Sequence, residues 1–414
     1  MKHDENELLM PVGEARSRIL AEVRPLPAER CGLDECAGRV LAQDVISDIS
    51  IPMLDNSAMD GYAVRSAETS AASPDNPVTL RITGELQAGA ARLALSVGEG
   101  CAIRIMTGAP IPAGANAVIR FEDTSESAGV VSLYAPVRPG DNIRRSGEDV
   151  MRGAVVLRKG DMVRSADVGM LASVNAQCVL VSRKPVVAVI STGDEVVEPG
   201  EELLPGQVRN SNAYTLVSEL RACGCVPRYL GIVSDSREAT ERVMREAMQC
   251  DVLITTGGVS MGRYDFVKDA IADLGVAISI QNIRMKPGKP CVFGTKDPLL
   301  FFGLPGNPVS TMVSFIQFVR PALLKLMGAS RIHKPVVSAI LCEEISKKAG
   351  RMHFLRGMLT VQNGEFFVST TGPQGSGILR SMSAASCLIL LPEDTTRVPA
   401  GGKVMIQLIQ HEEI

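Results

Sequence analysis

The spacing of apolar positions changes character several times along the chain. From 11 to 23, Val12, Ile19, Leu20 and Val23 recur at helical intervals and predict an amphipathic helix. From 77 to about 150 the runs are short and alternate: Leu80 to Gly84, Ala102 to Gly108, Ala117 to Glu122 and Val130 to Tyr134. No helical period interrupts them, which predicts an all-β module. At Lys184-Pro185 the pattern shifts again. Val186-Val187-Ala188-Val189-Ile190 is continuously apolar, as a strand buried on both faces requires. Helical and extended runs then alternate to about 327 and predict a doubly wound parallel sheet. After about 329 the helical period stops. Val336 to Leu341, Met358 to Val361, Phe366 to Ser369, Cys387 to Leu391 and Val404 to Ile409 predict a small β-barrel or sandwich.

Three turns within the α/β stretch carry candidate chemistry. They are Thr255-Thr256-Gly257-Gly258-Val259-Ser260-Met261-Gly262, Lys286-Pro287-Gly288-Lys289-Pro290 and Leu304-Pro305-Gly306-Asn307-Pro308. Ligands of open parallel sheets sit beyond the carboxyl ends of the strands, so the turns are expected to share one rim. Paired glycines let backbone N–H groups approach a ligand. Asn307 suits an N-cap and Pro308 the first helical position, aiming a helix that runs to about Met327 at the same rim. Pro321 is the expected kink. Ser211-Asn212 offers the N-cap of an earlier helix, and Ser234-Asp235-Ser236 that of a later one. Lys286 and Lys289 add full charge, while Asp194, Glu195, Asp235 and Asp265 add carboxylates. That combination suits a phosphate ester with a divalent cation. No Walker A loop and no strand–GxGxxG–helix unit is present, which disfavours ordinary NTPases and dehydrogenases.

Composition narrows the partners. At 414 residues the chain is long enough for two to four domains. A net charge of −3 and the absence of tryptophan give no general surface for nucleic acid. Ten cysteines include no C-x-x-C pair, as expected of free thiols in a reducing cytoplasm. The polar, acidic N-terminus is unlike a signal peptide. No run approaches the apolar length of a membrane span, so no membrane partner is expected. Four scattered histidines argue against histidine triads and metal clusters. Asp55 and Asp60 flank Asn56 and Ser57; a surface Asx-rich turn and a set of oxygen ligands for Mg²⁺ or substrate both remain open. Arg144 and Arg145 stand beside Glu148 and Asp149, as an ion-pair network or a phosphate-positioning group.

Seven motifs, in order along nearly the whole chain, resemble the molybdopterin molybdenumtransferase family, which includes the E domain of gephyrin. They are Asp55-Asn56-Ser57-Ala58-Met59-Asp60-Gly61-Tyr62-Ala63, Met106-Thr107-Gly108-Ala109-Pro110, Arg144-Arg145-Ser146-Gly147-Glu148-Asp149, Ser191-Thr192-Gly193-Asp194-Glu195, Thr256-Gly257-Gly258-Val259-Ser260, the 286–290 turn and Leu304-Pro305-Gly306-Asn307-Pro308-Val309-Ser310. The resemblance implies insertion of molybdate into adenylylated molybdopterin with release of AMP. It implies a cytoplasmic homodimer of multidomain α/β chains, to which a molybdopterin adenylyltransferase is a candidate partner. Four parts are expected per chain: 1–49 with 146–184 for linking and dimerisation, an all-β insertion at 50–145 that reaches the partner's α/β domain, the α/β domain at 185–328, and a β-barrel at 329–414.

Residue by residue, the resemblance implies essential groups at Asp60, Asp149, Glu195, Asp235, Asp265, Lys286 and Lys289. Asp60, Glu195, Asp235 and Asp265 are the expected Mg²⁺ ligands, because hard carboxylate oxygens with a phosphate oxygen suit that ion. Molybdate is implied at Lys289, Pro290, Ser310, Arg351 and Ser376. Thr107, Thr192, Gly257, Gly258, Ser260, Pro305, Asn307 and Pro308 complete the implied substrate contacts. Ala385-Ser386 and Arg120 depart from the common pattern, where Asn after Ala and an apolar residue are usual. Two other readings are a gephyrin-like scaffold, which calls for a further domain and linker, and a hydrolase on a pterin or pyridine nucleotide, which needs neither the insertion nor the barrel.

Overall fold

Two units share the chain: residues 1–43, 159–164 and 180–414 form the first, and 44–158 with 165–179 the second. The computed structural model describes residues 9–89, 95–234, 237–258 and 266–409. The first unit opens with α1, Val12–Glu22, which buries Val12, Ala15 and Ile19.

The second unit is built on six strands: β1 Gly61–Val64, β2 Val78–Leu86, β3 Cys101–Ile105, β4 Ala117–Arg120, β5 Thr124–Ser127 and β6 Val130–Leu133. They form one sheet in the order β4-β1-β3-β2-β6-β5, with only β2 and β3 parallel. All four residues of β1 are buried. Its first, Gly61, has no room for a side chain, because a Cβ there would lie 1.9 Å from the Ile119 carbonyl oxygen. Tyr62 packs edge-on against Phe121 at 5.3 Å, and its hydroxyl donates to Glu126. A helix, α2 (Ser165–Ser173), also belongs to this unit.

Back in the first unit, the continuous apolar run becomes β7, Val186–Thr192. It is followed by α3 Ser211–Ala222, β8 Val226–Val233, α4 Arg237–Ala247, β9 Val252–Thr256, α5 Phe266–Asp273, β10 Ala277–Gln281, β11 Val292–Lys296 and β12 Leu299–Leu304. The sheet order is β8-β7-β9-β12-β11-β10. The first four strands are parallel; β11 and β10 extend the sheet antiparallel, so it is mixed rather than wholly parallel. Period-2 geometry sends alternate residues of each buried run to opposite faces. Val187, Val189, Val252, Ile254, Leu300 and Phe302 join α1 and α3 in one core; Ala188, Ile190, Leu253 and Phe301 join α4 and α5 in another.

The helix expected from Pro308 runs as α6 Pro308–Ser314, a π-helical turn Phe315–Val319, and α7 Arg320–Leu326. The irregularity lies ahead of Pro321, which is the second residue of α7 and fits a helix start. The stretch Pro308–Leu326 is long and apolar enough for a membrane span, contrary to the sequence reading, but 83% of its apolar window is buried inside the protein. It is the central core helix of this unit. The cap of α3 is Asn210, which accepts from the Ala213 N–H at 3.3 Å; Ser211 and Asn212 lie inside the helix.

The last strands are β13 Val336–Leu341, β14 Met352–Gln362, β15 Glu365–Thr370, β16 Cys387–Leu391 and β17 Lys403–Leu408, with a short α8 at Leu379–Ser383. They pair in the cycle β14-β15-β13-β17-β16 and back to β14, a closed five-stranded barrel. Met285–Lys286 pairs parallel to β14 at Met352 and His353, tying the 286–290 turn to the barrel.

Candidate functional site

The ends of β7, β9 and β12 do open onto one cavity, of about 770 Å³. Its lining includes Thr192, Glu195, Asn212, Thr256, Gly257, Gly258, Pro290, Pro305, Asn307 and Pro308. The glycines are required by space as well as by conformation. Gly257 has φ +91°, and a Cβ there would stand 2.7 Å from the Thr192 carbonyl oxygen; at Gly258, φ +63°, it would stand 2.6 Å from Val267. The Thr192 hydroxyl is buried at this wall with no hydrogen-bond partner. A buried hydroxyl costs free energy unless a partner arrives, so it is a ready ligand contact. Glu195 lies in the turn after β7. Its carboxylate folds back over Gly193, where a Cβ would meet both oxygens at 2.7 Å.

The N-terminus of α6 is less open than the sequence suggests. Asn307 occupies the N-cap position, but its side chain makes no capping bond. The Val309 N–H donates to the Ser376 carbonyl at 3.1 Å, so one of the helix-end donors is already satisfied within the protein.

Lys286 and Arg351 do not line this cavity. They line a second one, of about 730 Å³, with Lys347, Lys348, His353, Arg356, Glu343 and Glu344. Two segments pass between the cavities. In the 286–290 turn, Lys286 and Pro287 face the second cavity and Pro290 the first. In the 374–379 loop, Gln374 faces the second and Gly377 and Leu379 the first. Lys289 and Ser376 stand in these two crossing segments, the seam between the cavities, and are in the lining of neither; Ser310 is buried in the first turn of α6, whose Val309 N–H bonds Ser376.

Arg356 was not singled out by the sequence reading. It is 0% exposed, the largest fully buried side chain. Its Nε donates to Ser381 Oγ at 3.0 Å and its Nη2 to the Gly375 carbonyl at 3.0 Å; Nη1 is buried without a partner. Among the described residues no carboxylate pairs with it. An arginine's spacing in a strand says nothing of whether a counter-ion sits beside it, which is why the pattern alone could not find this residue. Nearby, Lys347 is spent on the carbonyls of Arg351 at 3.0 Å and Glu393 at 3.1 Å, and burial pulls its pKa down. Burial, with Lys347, Lys286 and Arg351 alongside, pushes the His353 imidazole down to about 4.

The second unit gathers three other motifs. Asn56–Ser57 pairs antiparallel with Ile143–Arg144, and Ser57 exchanges backbone bonds with Ala109 and Gly108 at 2.9 and 2.8 Å. Asp60 accepts from the Thr107 N–H and hydroxyl, both at 2.7 Å, which holds its carboxyl below the usual range. Asp55 accepts from the Ser146 N–H at 2.8 Å and from Arg145 at 2.6 Å, with the same effect. Asp149 is exposed in the adjoining turn, its N–H bonded to the Ile51 carbonyl at 3.0 Å. Asp60, Thr107 and Asp149 thus belong to the second unit, and Glu195, Lys286 and Lys289 to the first. Asp235, Ser260 and Asp265 lie outside the described residues.

Comparison with known proteins matches the chain in three parts. Residues 10–175 match the MoeA N-terminal region (domain I and II), 188–325 a probable molybdopterin binding domain, and 338–409 the MoeA C-terminal region (domain IV). A molybdopterin molybdenumtransferase of Haemophilus influenzae is 38% identical over 408 residues, covering 97% of this chain and 99% of that protein. The chain belongs to the molybdopterin molybdenumtransferase family. The Bacillus subtilis molybdopterin molybdenumtransferase is 35% identical over 408 residues, 97% of this chain and 95% of its own. The crystal structure of the molybdopterin biosynthesis moeA protein of Pyrococcus horikoshii OT3 superposes with a TM-score of 0.84 at 33% identity, covering 97% of this chain and all of that one. Membership makes the chain an enzyme of molybdenum cofactor biosynthesis, a transferase that inserts molybdenum into molybdopterin.

Proposed function

We propose that the molybdenumtransferase reaction of this chain takes adenylylated molybdopterin and molybdate as substrates and releases AMP, in a cytoplasmic homodimer. The first cavity takes the adenylylated pterin. Its glycine turns, the Thr192 hydroxyl and Glu195 supply close backbone approach, an unpartnered hydroxyl and a carboxylate. Molybdate binds at the seam, among Lys289, Pro290, Ser310, Ser376 and the arginines Arg351 and Arg356. The observation that carries this reading is the unpartnered Nη1 of the buried Arg356. A buried guanidinium without a counter-ion is costly, and a tetrahedral dianion is the partner its geometry suits.

Mg²⁺ is proposed as the cofactor. Such an ion keeps waters and takes one or two carboxylates with substrate phosphates. Among the described residues no group of three acidic, cysteine or histidine side chains comes together, while Glu195 lines the first cavity. That donor set fits an ion held chiefly by phosphate oxygens, with Glu195 as a protein ligand and Asp235 and Asp265 as further candidates. Bound there, Mg²⁺ would neutralise charge on the phosphoanhydride; the backbone donors of the 256–258 turn orient it. The reaction that supplies this substrate is an adenylylation of molybdopterin, so a separate adenylyltransferase is a proposed partner.

The test is the molybdate dependence of turnover. A charge-assisted contact is worth about 1.5–3 kcal/mol, roughly tenfold or more in affinity. Lys289→Ala and Arg356→Lys should each raise the half-saturating molybdate by at least that factor, with Lys159→Ala as the control lysine. Wild-type molybdate dependence in both variants, with folding verified by thermal unfolding, would remove molybdate from the seam.

A further inference from the structure

Asn212 lies within α3, freed from capping because Asn210 takes that position. Its side-chain Nδ2 donates twice across the rim of the first cavity: to Thr256 Oγ1 at 2.8 Å and to the Gly306 carbonyl at 2.7 Å. A carbonyl only accepts, so the bond to Gly306 fixes which end of the amide points there. Each acceptor adjoins a turn that lines the cavity. Thr256 leads into Gly257 and Gly258; Gly306 leads into Asn307 and the start of α6. One amide therefore joins three β/α connections that are far apart in sequence.

The rim has a second tie between two of these turns, the Gly257 N–H to the Leu304 carbonyl at 3.1 Å. Among the described residues, the hydrogen bonds that bring α3 to both of them are those of Asn212. The base of α3 is itself anchored. Asn210 accepts from Ser191 Oγ at 2.9 Å and donates to Tyr229 Oη at 2.6 Å and to Glu198 at 3.3 Å. Asn212 thus reaches out from a fixed helix start to two turns, one of which carries Gly257 and Gly258 at positive φ.

We propose that Asn212 is a positioning residue: its amide fixes the separation of the 256–258 and 304–308 turns and so sets the shape of the cavity for the adenylylated pterin. The proposal rests on the substrate assignment made above for that cavity. The chemistry requires two donors on a short, flat arm. Aspartate keeps the shape and loses both donors; alanine loses the arm.

The experiment pairs steady-state kinetics with hydrogen–deuterium exchange on the full-length protein. Asn212→Asp and Asn212→Ala should each raise the KM for adenylylated molybdopterin at least tenfold and change kcat less than threefold. Amide exchange should accelerate in 256–258 and at Leu304, Gly306 and Asn307, with the thermal midpoint nearly unchanged. An unchanged KM in either variant overturns the proposal. So does a raised KM with unaltered exchange in the two turns, which would make Asn212 a direct contact, and so does a fall in thermal midpoint with KM preserved, which would make it merely structural. A wild-type protein that shows no saturation with adenylylated molybdopterin would instead bring down the substrate assignment, while the exchange data would still decide whether the brace exists.

Discussion

His353 shows how a residue's neighbours reverse its ordinary behaviour. It is half-buried in the second cavity, with Lys286, Lys347 and Arg351 as cationic neighbours and Glu343 and Glu344 on the same lining. Its pKa of about 4 in the folded protein compares with about 6.5 for a free histidine. Above that unfolded value both states are neutral here and nothing is lost. As pH falls from about 6.5 toward 4, the unfolded chain takes up a proton that the folded one refuses, so stability declines across that window. His353→Gln removes this contribution. Denaturant midpoints at pH 7 and pH 5 should show a smaller acid-induced loss in the variant than in wild type. Equal losses would mean that the imidazole titrates normally. Arg356 makes the complementary point: an arginine is legible as a charge in sequence, but its missing counter-ion is visible only in three dimensions.

Among the elements, the turn after β9 is where backbone freedom matters most. Gly257 combines positive φ with a Cβ position 2.7 Å from a carbonyl oxygen, so alanine there must strain or displace the Thr192 wall. Such strain is of order 1–3 kcal/mol. Gly13 is its opposite: it sits in α1, its φ is not positive, and nothing lies within 4 Å of a Cβ. Gly13→Ala should stabilise by about 0.4–1 kcal/mol through the unfolded state. Urea unfolding should therefore shift in opposite directions for Gly257→Ala and Gly13→Ala. A shift of the same sign in both would show that the tight turn relaxes freely. The sequence marked Gly257 through its doublet with Gly258, but the π-helical turn at Phe315–Val319 left no mark in it. Its residues keep an apolar helical pattern, and all five are buried.

For the whole molecule, the second unit leaves Met53 70%, Leu54 52% and Met151 68% exposed. Met53 and Met151 flank neighbouring strand ends, since Ile51 bridges Val150 and Gly147 donates to the Pro52 carbonyl at 2.9 Å. Large apolar side chains clustered at a surface mark an interface more often than scattered ones do. The proposed homodimer is their expected cover. Sedimentation should give a dimer at micromolar concentration, and Met53→Glu combined with Met151→Glu should shift it toward monomer. A wild-type monomer, or a double variant as dimeric as wild type, would rule out that face.

The sequence by itself determined which segments are buried and what chemistry their turns carry. Continuous apolar runs such as Val186–Ile190 have nowhere to go but a two-faced sheet, and glycine and proline restrict the turns through local sterics alone. The gathering of β7, β9 and β12 ends at one cavity followed from the handedness of β-α-β connections. Tertiary structure alone decided the rest. It put Lys286 and Arg351 on the second cavity rather than the first, left Lys289 and Ser376 in the segments that cross between them, satisfied part of the α6 end with a carbonyl from the barrel loop, and gave Asn212 its acceptors. Those outcomes depend on contacts between residues as many as 94 positions apart in the chain, as in the Asn212–Gly306 bond. Periodicity reports only on neighbours within a few turns or strands, so it carries no information about such meetings.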